Sequence, residues 1–470
     1  MKKYLLILLA GTLLGTGLRA QGLQECVRMA QDSTIVAFQN QYEYLYAQRN
    51  YDEFLALRKP QLNFTLQPNY TRYLYDPSRN YVYQRNYDIL SAGAQLKLSQ
   101  KLTGIGGEAY VASQFIWSRF LNGNPSYPLY AIMPVVAGVK VPLIGYNPYK
   151  WEKQAEDQAL KTARLKHEHS LYEIAEETTR RYFALVAAQQ KASVCERNLQ
   201  TADTLYAIAK EKYGIAVITK GELLSLELQC MNAKNALDEA VVNREVARDA
   251  LLSWLRIEDA DLPEALPVPE QKPYMLISLE EALERSHESH PSYQKQLEYV
   301  SQASQARDKA KKESGIQVGV DVNLGIQQMD QVFRQVFHNQ QVYALGSVSL
   351  SIPIVDNGAA RNRRQASEAW LSREETLLKE TARQLEQDVA AAVHDFTDCQ
   401  DRLRNTQSAV EMADEVFALI SDNYAQGLTD INSYVLAQNR RDEAYTRHLA
   451  TLQDYWITYY HLASLTLHEF

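Results

Sequence analysis

Between Leu185 and Tyr213 the apolar and small residues fall at Leu185, Ala188, Ala192, Cys195, Leu199, Ala202, Tyr206 and Ala209. Intervals of three and four alternate, which is the seam of a helix packed lengthwise against other helices. Adding 211 to each position gives Phe396, Cys399, Leu403, Thr406, Val410, Ala413, Phe417 and Ile420. The register continues on both sides. Tyr213-Gly214-Ile215-Ala216 faces Tyr424-Ala425-Gln426-Gly427, and Val141-Pro142-Leu143 faces Ile352-Pro353-Ile354. One unit is therefore written twice.

The remaining elements follow from the same patterning. A helix is predicted from Leu23 to about Lys59, with no Gly or Pro before Pro60. Its counterpart, offset by 256, runs from Leu279 to about Glu313 behind a capping box, Ser278 to Glu281. The two offsets differ by 45, so the first half carries about 45 extra residues. Strict alternation from Ile316 to Ile326 predicts a strand, close to the ~9–11 residues that cross a bilayer at a tilt. Further strands are expected at Val342–Ile352, Leu62–Tyr70 and Val135–Leu143. The extra residues read as a β-hairpin over 92–117, turning at Gly104–Gly107. It either joins a barrel or extends beyond the membrane. Long helices are predicted over about 147–213 and 357–424, roughly 100 Å each. A return helix starts at the capping box Thr219–Glu222, and a second at about Asp430. Pro263, Pro267, Pro269 and Pro273 mark a linker between the halves.

Composition narrows the class. Lys2-Lys3, the apolar run from Tyr4 to Leu14 and Leu18-Arg19-Ala20 form a signal peptide, so the chain is exported. The net charge of -8 becomes -11 when Lys2, Lys3 and Arg19 leave with that peptide. There is no Lys/Arg block, hence no nucleic-acid footprint. Of 30 tyrosines, many crowd the strand ends and loops (Tyr70, Tyr73, Tyr75, Tyr81, Tyr83, Tyr87, Tyr127, Tyr130), joined by Trp117 and Phe120, like an interfacial aromatic girdle. Cys195, Cys230 and Cys399 lie on heptad seams and read as small buried hydrophobes rather than disulfide partners. His287-Glu288-Ser289-His290 and His167-Glu168-His169 have a metal-like look without the helical spacing of a ligand set. No cofactor, metal or catalytic constellation emerges.

The order helix, strand pair, very long helix, Tyr-x-x-Gly tip and return helix, given twice, resembles TolC-type outer-membrane efflux proteins. Asn423-Tyr424-Ala425-Gln426-Gly427, Leu279-Glu280-Glu281-Ala282-Leu283 and Tyr182-Phe183-Ala184-Leu185 carry the resemblance. It implies a mainly α chain with a membrane β-barrel portion: signal peptide 1–20, first repeat 21–256 (strands within 62–144, tip 213–222), linker 257–278 and second repeat 279–470 (strands within 316–353, tip 424–433). It implies a homotrimer in the cell outer membrane, in contact with its lipid, with a helical portion in the periplasm. The partners it implies are a periplasmic adaptor and an inner-membrane transporter. It places a periplasmic gate and adaptor-docking tip at Tyr213, Gly214, Glu222, Tyr424, Gly427, Thr429 and Asp430. Departures from the family pattern are Thr429 at its basic position, Ser433 at an acidic one, and Ala216 where a glycine is usual. Asp430 is then the candidate for the missing charge. The alternative is a periplasmic coiled-coil adaptor or scaffold without a barrel.

Overall fold

A computed structural model describes residues 22–73, 87–121, 127–426, 428–429 and 431–468. The signal peptide, Tyr75, Tyr81, Tyr83, Gly427 and Asp430 lie outside the described residues. In chain order the elements are α1 (Leu23–Ser33), α2 (Ile35–Leu57), β1 (Gln61–Tyr73), β2 (Tyr87–Leu102), β3 (Gly107–Phe120), β4 (Pro128–Ile144), α3 (Pro148–Gly214) and α4 (Lys220–Leu255). After the linker come α5 (Leu279–Ser289), α6 (Pro291–Glu313), β5 (Gln317–Asp330), β6 (Gln341–Ser351), α7 (Ala359–Ala425) and α8 (Ile431–Thr466). Adding 256 to the bounds of α1 and α2 gives those of α5 and α6, and adding 211 to those of α3 and α4 gives those of α7 and α8.

Each predicted leading helix is two helices. In the second half Pro291 opens α6 and forces His290 out of the α region, to φ -67°, ψ 125°. Thr34, the equivalent of His290, is extended at φ -71°, ψ 152° without a proline. Its Oγ1 accepts from the Ala37 N–H at 3.2 Å and donates to the Ala30 carbonyl, so a threonine cap interrupts the helix. The capping box expected at Ser278 does not form. The Ser278 side chain makes no cap, and the Glu281 carboxylate is held by Arg285 at 2.7 Å.

The chain divides into two compact units. The helical unit runs to Tyr44, then Ala163–Gln294, then from Thr381 on. Tyr182, Phe183, Leu185, Leu251, Phe396, Leu403, Tyr455 and Leu462 are fully buried there, so both halves feed one core. The seam residues Leu185, Ala192, Cys195, Ala202 and Ala209 are buried, and Ala188, Leu199 and Tyr206 half-buried. The linker is strapped on by two glutamines at equivalent places. Gln189 donates to the Glu264 carbonyl (2.9 Å) and accepts from the Leu266 N–H (3.2 Å), while Gln400 exchanges two bonds with the Met275 backbone (2.9 and 3.1 Å).

The other unit, Leu45–Thr162 with Lys295–Glu380, holds one six-stranded antiparallel sheet in the order β1-β2-β3-β4-β5-β6. The predicted hairpin is β2–β3, longer than expected at both ends and seated inside the sheet. The register puts Leu62, Phe64 and Leu66 beside Leu98, Leu96 and Ala94, then Val111, Ala137, Val139, Val322 and Leu324, and finally Val348 and Leu350, all on one face. The opposite face carries Asn63, Thr65, Lys97, Gln95, Glu108, Tyr110, Lys140, Asp321, Asn323 and Ser347. Two glycines on this polar face lie under tyrosine rings: a Cβ at Gly138 would meet Tyr110 at 2.5 Å, and one at Gly325 would meet Tyr343 at 2.8 Å. Every helix–strand junction lies at one end of the sheet, together with the short β2–β3 turn. The opposite end carries an aromatic cluster of Phe115, Tyr130, Phe333 and Phe337, with centroids 5.4–6.4 Å apart.

Candidate functional site

The tips are built by helix endings. In the first, α3 closes through Ala216, which sits in the left-handed region at φ 59°. The Val217 N–H donates to the Lys212 carbonyl and the Ala216 N–H to the Tyr213 carbonyl, both at 2.9 Å, a Schellman closure. Gly214 has open space around it and is not the left-handed residue. The second tip repeats the closure 211 residues on, with the Leu428 N–H donating to the Asn423 carbonyl at 2.8 Å.

Glu222 caps its own helix. Its carboxylate accepts from the Thr219 N–H at 2.7 Å and from Thr219 Oγ1 at 2.9 Å, and Thr219 Oγ1 accepts from the Glu222 N–H. The Thr219 backbone N–H holds this carboxyl below the usual carboxylate range. Tyr424 stands at the end of an aromatic ladder. Its ring lies 5.2 Å from Tyr434, Tyr434 lies 5.5 Å from Phe417, and the Arg441 guanidinium caps Phe417 at 4.2 Å. Tyr213 is exposed and Thr429 half-exposed. Large apolar side chains near the tips face outward: Ile215, Val217, Leu224, Leu228 and Leu428.

Above the tips, α3 of the first half meets α8 of the second through polar contacts. Arg197 pairs with Asp442 at 3.1 Å, and Gln438 donates to Asn198 at 3.1 Å. Asp442 is buried and also has Arg441 at 3.8 Å. These polar residues lie outside the apolar heptad pattern, which marks only the seam itself. A charge recurring beside a seam is the sequence sign of such a clasp.

The histidine motifs come together in the helical unit. His169 and His290 lie edge to face at 5.4 Å, His287 stacks on Tyr293, and His167 stacks on Tyr44. Among the described residues no group of three or more His, Cys, Asp or Glu side chains is arranged to hold a metal ion. All four cysteines are free, with Cys26, Cys195 and Cys399 buried. No helix of the described residues is long and apolar enough to cross a membrane.

Residues 282–466, nearly all of the second repeat, match the family model described as outer membrane efflux protein. The match lies in the second repeat and covers less than half of the chain. Its fold is similar to that of a Pseudomonas aeruginosa membrane protein, with a TM-score of 0.65 at 16% identity over 94% of this chain and 93% of that one. The Campylobacter jejuni CmeC outer membrane channel gives a TM-score of 0.64 at 14% identity, covering 94% and 85%. The open-state Neisseria gonorrhoeae MtrE outer membrane channel gives 0.63 at 15%, covering 95% and 89%. No curated protein matches the chain. The matched family is described as one of outer membrane efflux proteins, and CmeC and MtrE are outer membrane channels.

Proposed function

We propose that this chain works as a homotrimer, passing solutes passively from the periplasm through the outer membrane. Residues 21–256 and 279–470 act as two copies of one unit joined by 257–278. A periplasmic adaptor and an inner-membrane transporter complete the system. The sheet carries this reading. Its apolar face is turned to solvent along all six strands, with Phe64 68%, Val348 71% and Val342 76% exposed. A water-facing sheet would not spread so many large apolar side chains over one face, whereas a bilayer-facing wall requires them. A periplasmic scaffold without a barrel would leave that face uncovered. A single chain also cannot close an aqueous barrel, because among the described residues β1 and β6 stay open edges.

The tips, Tyr213–Glu222 and Tyr424–Ser433, form the periplasmic gate and the surface that meets the adaptor. Aromatic rings at a constriction can part without unfolding a helix, and the Tyr424–Tyr434–Phe417 ladder supplies such rings. The outward apolar residues Ile215, Val217 and Leu428 suit a partner protein. With Tyr424 and Glu222 both replaced by Ala, single-channel recordings in planar bilayers should show a larger open fraction and conductance. Wild-type values from an intact trimer would remove the gate assignment.

A further inference from the structure

The inserted hairpin distinguishes the two halves of the sheet. In the duplicated pattern β1 corresponds to β5 and β4 to β6, while β2–β3 has no counterpart. We infer that β2–β3 is a permanent part of the membrane wall, so that three chains close an 18-stranded barrel instead of the 12 strands the duplicated pattern alone would give. The inference rests on the three-chain duct proposed above.

The hairpin cannot swing out of the wall. β2 is paired to β1 from Gln61↔Ser99 to Tyr73↔Tyr87, and β3 to β4 from Glu108↔Lys140 to Arg119↔Pro128. Among the described residues the edge strand β1 reaches β4, β5 and β6 only through β2 and β3. Extruding the hairpin would break both ladders, and each lost pair leaves N–H and C=O groups unpaired in hydrocarbon. The side chains agree with the backbone. Leu96 and Leu98 of β2 and Val111 of β3 are exposed on the same face as Leu62 of β1 and Val322 of β5. On the other face Lys97 pairs with Glu108 at 2.9 Å, joining the two hairpin strands, and lies over the Tyr110 ring at 4.8 Å.

The turn of the hairpin is fixed where the helices attach. Asn147, just before α3, donates to the Thr103 carbonyl at 3.1 Å, and Gln100 donates to the Arg58 carbonyl at 2.6 Å. Gly106 takes φ 75°, and a Cβ on Gly107 would meet the Lys140 carbonyl at 2.5 Å, so the backbone comes close here. A short turn at the helix-bearing end and longer connections at the other is the asymmetry of an outer-membrane barrel.

The open edges name their occupant. Among the described residues β1 pairs only with β2, and β6 only with β5. β6 has neither proline nor lysine to discourage a neighbour. Since all neighbours in the sheet are antiparallel, β1 and β6 run in opposite directions. Antiparallel pairing of β1 with β1 of a second copy would invert that copy across the membrane. Pairing of β6 with the next copy's β1 stays antiparallel and keeps every chain pointing the same way. Three six-stranded sheets joined so fall in the 16–18-strand class that leaves an aqueous channel. Because barrel diameter grows about linearly with strand number, the hairpin makes the pore about half as wide again. The barrel then admits bulkier solutes than a wall of 12 strands.

The full chain in lipid nanodiscs tests this. Native mass spectrometry counts chains, and electron cryomicroscopy of the same sample counts strands. Three chains and 18 strands, with β6 against a neighbour's β1, is the expected result. Three chains with 12 strands and residues 87–120 outside the wall would overturn the hairpin's role and leave the trimer standing. Any other chain number would overturn the trimer and the strand count with it. Spin labels on Leu98→Cys and Val111→Cys give a second reading. Their oxygen accessibility should exceed that of a water-soluble nickel reagent, as for Leu62→Cys, and the reverse order would place the hairpin in water.

Discussion

Ala216 occupies a left-handed position that costs a residue with a Cβ about 1–2 kcal/mol. Part of that is returned by the smaller unfolded-state freedom of alanine, so Ala216→Gly should stabilise the first tip by about 1 kcal/mol. Amide exchange at Val217, whose N–H closes the turn, should slow by roughly fivefold. His290 illustrates a residue whose environment sets its charge. Burial, then the neighbouring His169, lowers its pKa from 6.5 to about 4, while Asp388 pulls the other way. For His169 burial acts downward, but the Glu173 carboxylate and the Ser464 carbonyl outweigh it, and the net shift is upward. Of the two rings, His169 is therefore the one that takes up a proton more readily. Between about pH 6.5 and 4 the unfolded chain binds a proton that folded His290 refuses, so stability falls as pH falls through that window. His169 has the opposite sign: its contribution is complete below its unfolded pKa and is lost as pH rises through its folded one. Thermal melts at pH 6.5 and 4.5 should therefore converge in His290→Gln. The acid loss it removes is on the order of 2 kcal/mol, discounted for the solvent that still reaches the ring.

At the scale of elements, the two 67-residue helices α3 and α7 are set by the heptad seam, and both end in the same backbone closure. The return helices end alike too, at Arg256 with φ 57° and at Leu467 with φ 48°, 211 residues apart. The linker shows how a proline-rich stretch is held without secondary structure. Arg248 donates to the Leu262 and Pro263 carbonyls at 2.8 Å, Tyr182 donates to the Pro267 carbonyl at 2.6 Å, and Gln189 and Gln400 add two bonds each. Each hydrogen bond contributes about 0.5–1.5 kcal/mol net. Gln189→Ala with Gln400→Ala should loosen the linker by a few kcal/mol in total while the helices persist. Limited proteolysis between Glu258 and Ser278 should then run at least tenfold faster, with unchanged helical circular dichroism.

At the scale of the whole molecule, the sheet must satisfy lipid on one face and water on the other. Val348 and Ser347 are neighbours in β6 that point to opposite faces. An arginine at Val348 would sit against hydrocarbon and should cost about 2–4 kcal/mol near mid-membrane, whereas a lysine at Ser347 would sit in the lumen. Outer-membrane recovery and heat-modifiable mobility on gels should fall for Val348→Arg and stay near wild type for Ser347→Lys. Equal loss in both would contradict the assignment of faces. Leu228, Val242, Val246, Met412 and Leu419 stay exposed within one chain on helices otherwise packed by seams.

The sequence alone determined the features that repeat with a period. Side-chain alternation of 2 and 3.6 is local, so the seams, the strands and the duplicated tip closure were all legible, down to the capping box at Thr219–Glu222. The family resemblance rested on that order as well. The break at Pro291 was legible in principle, since proline acts on its own neighbour. The break at Thr34 was not, because a mid-chain threonine caps or continues a helix according to what packs around it. Tertiary structure alone decided how far apart strands pair. The hairpin over residues 92–117 was visible, but its place between β1 and β4 depends on hydrogen bonds to strands distant in sequence. The same holds for Arg197 with Asp442 and for His169 with His290, pairs separated by more than 100 residues. Periodicity places a residue on a face. Only the packed chain says which other residue that face meets.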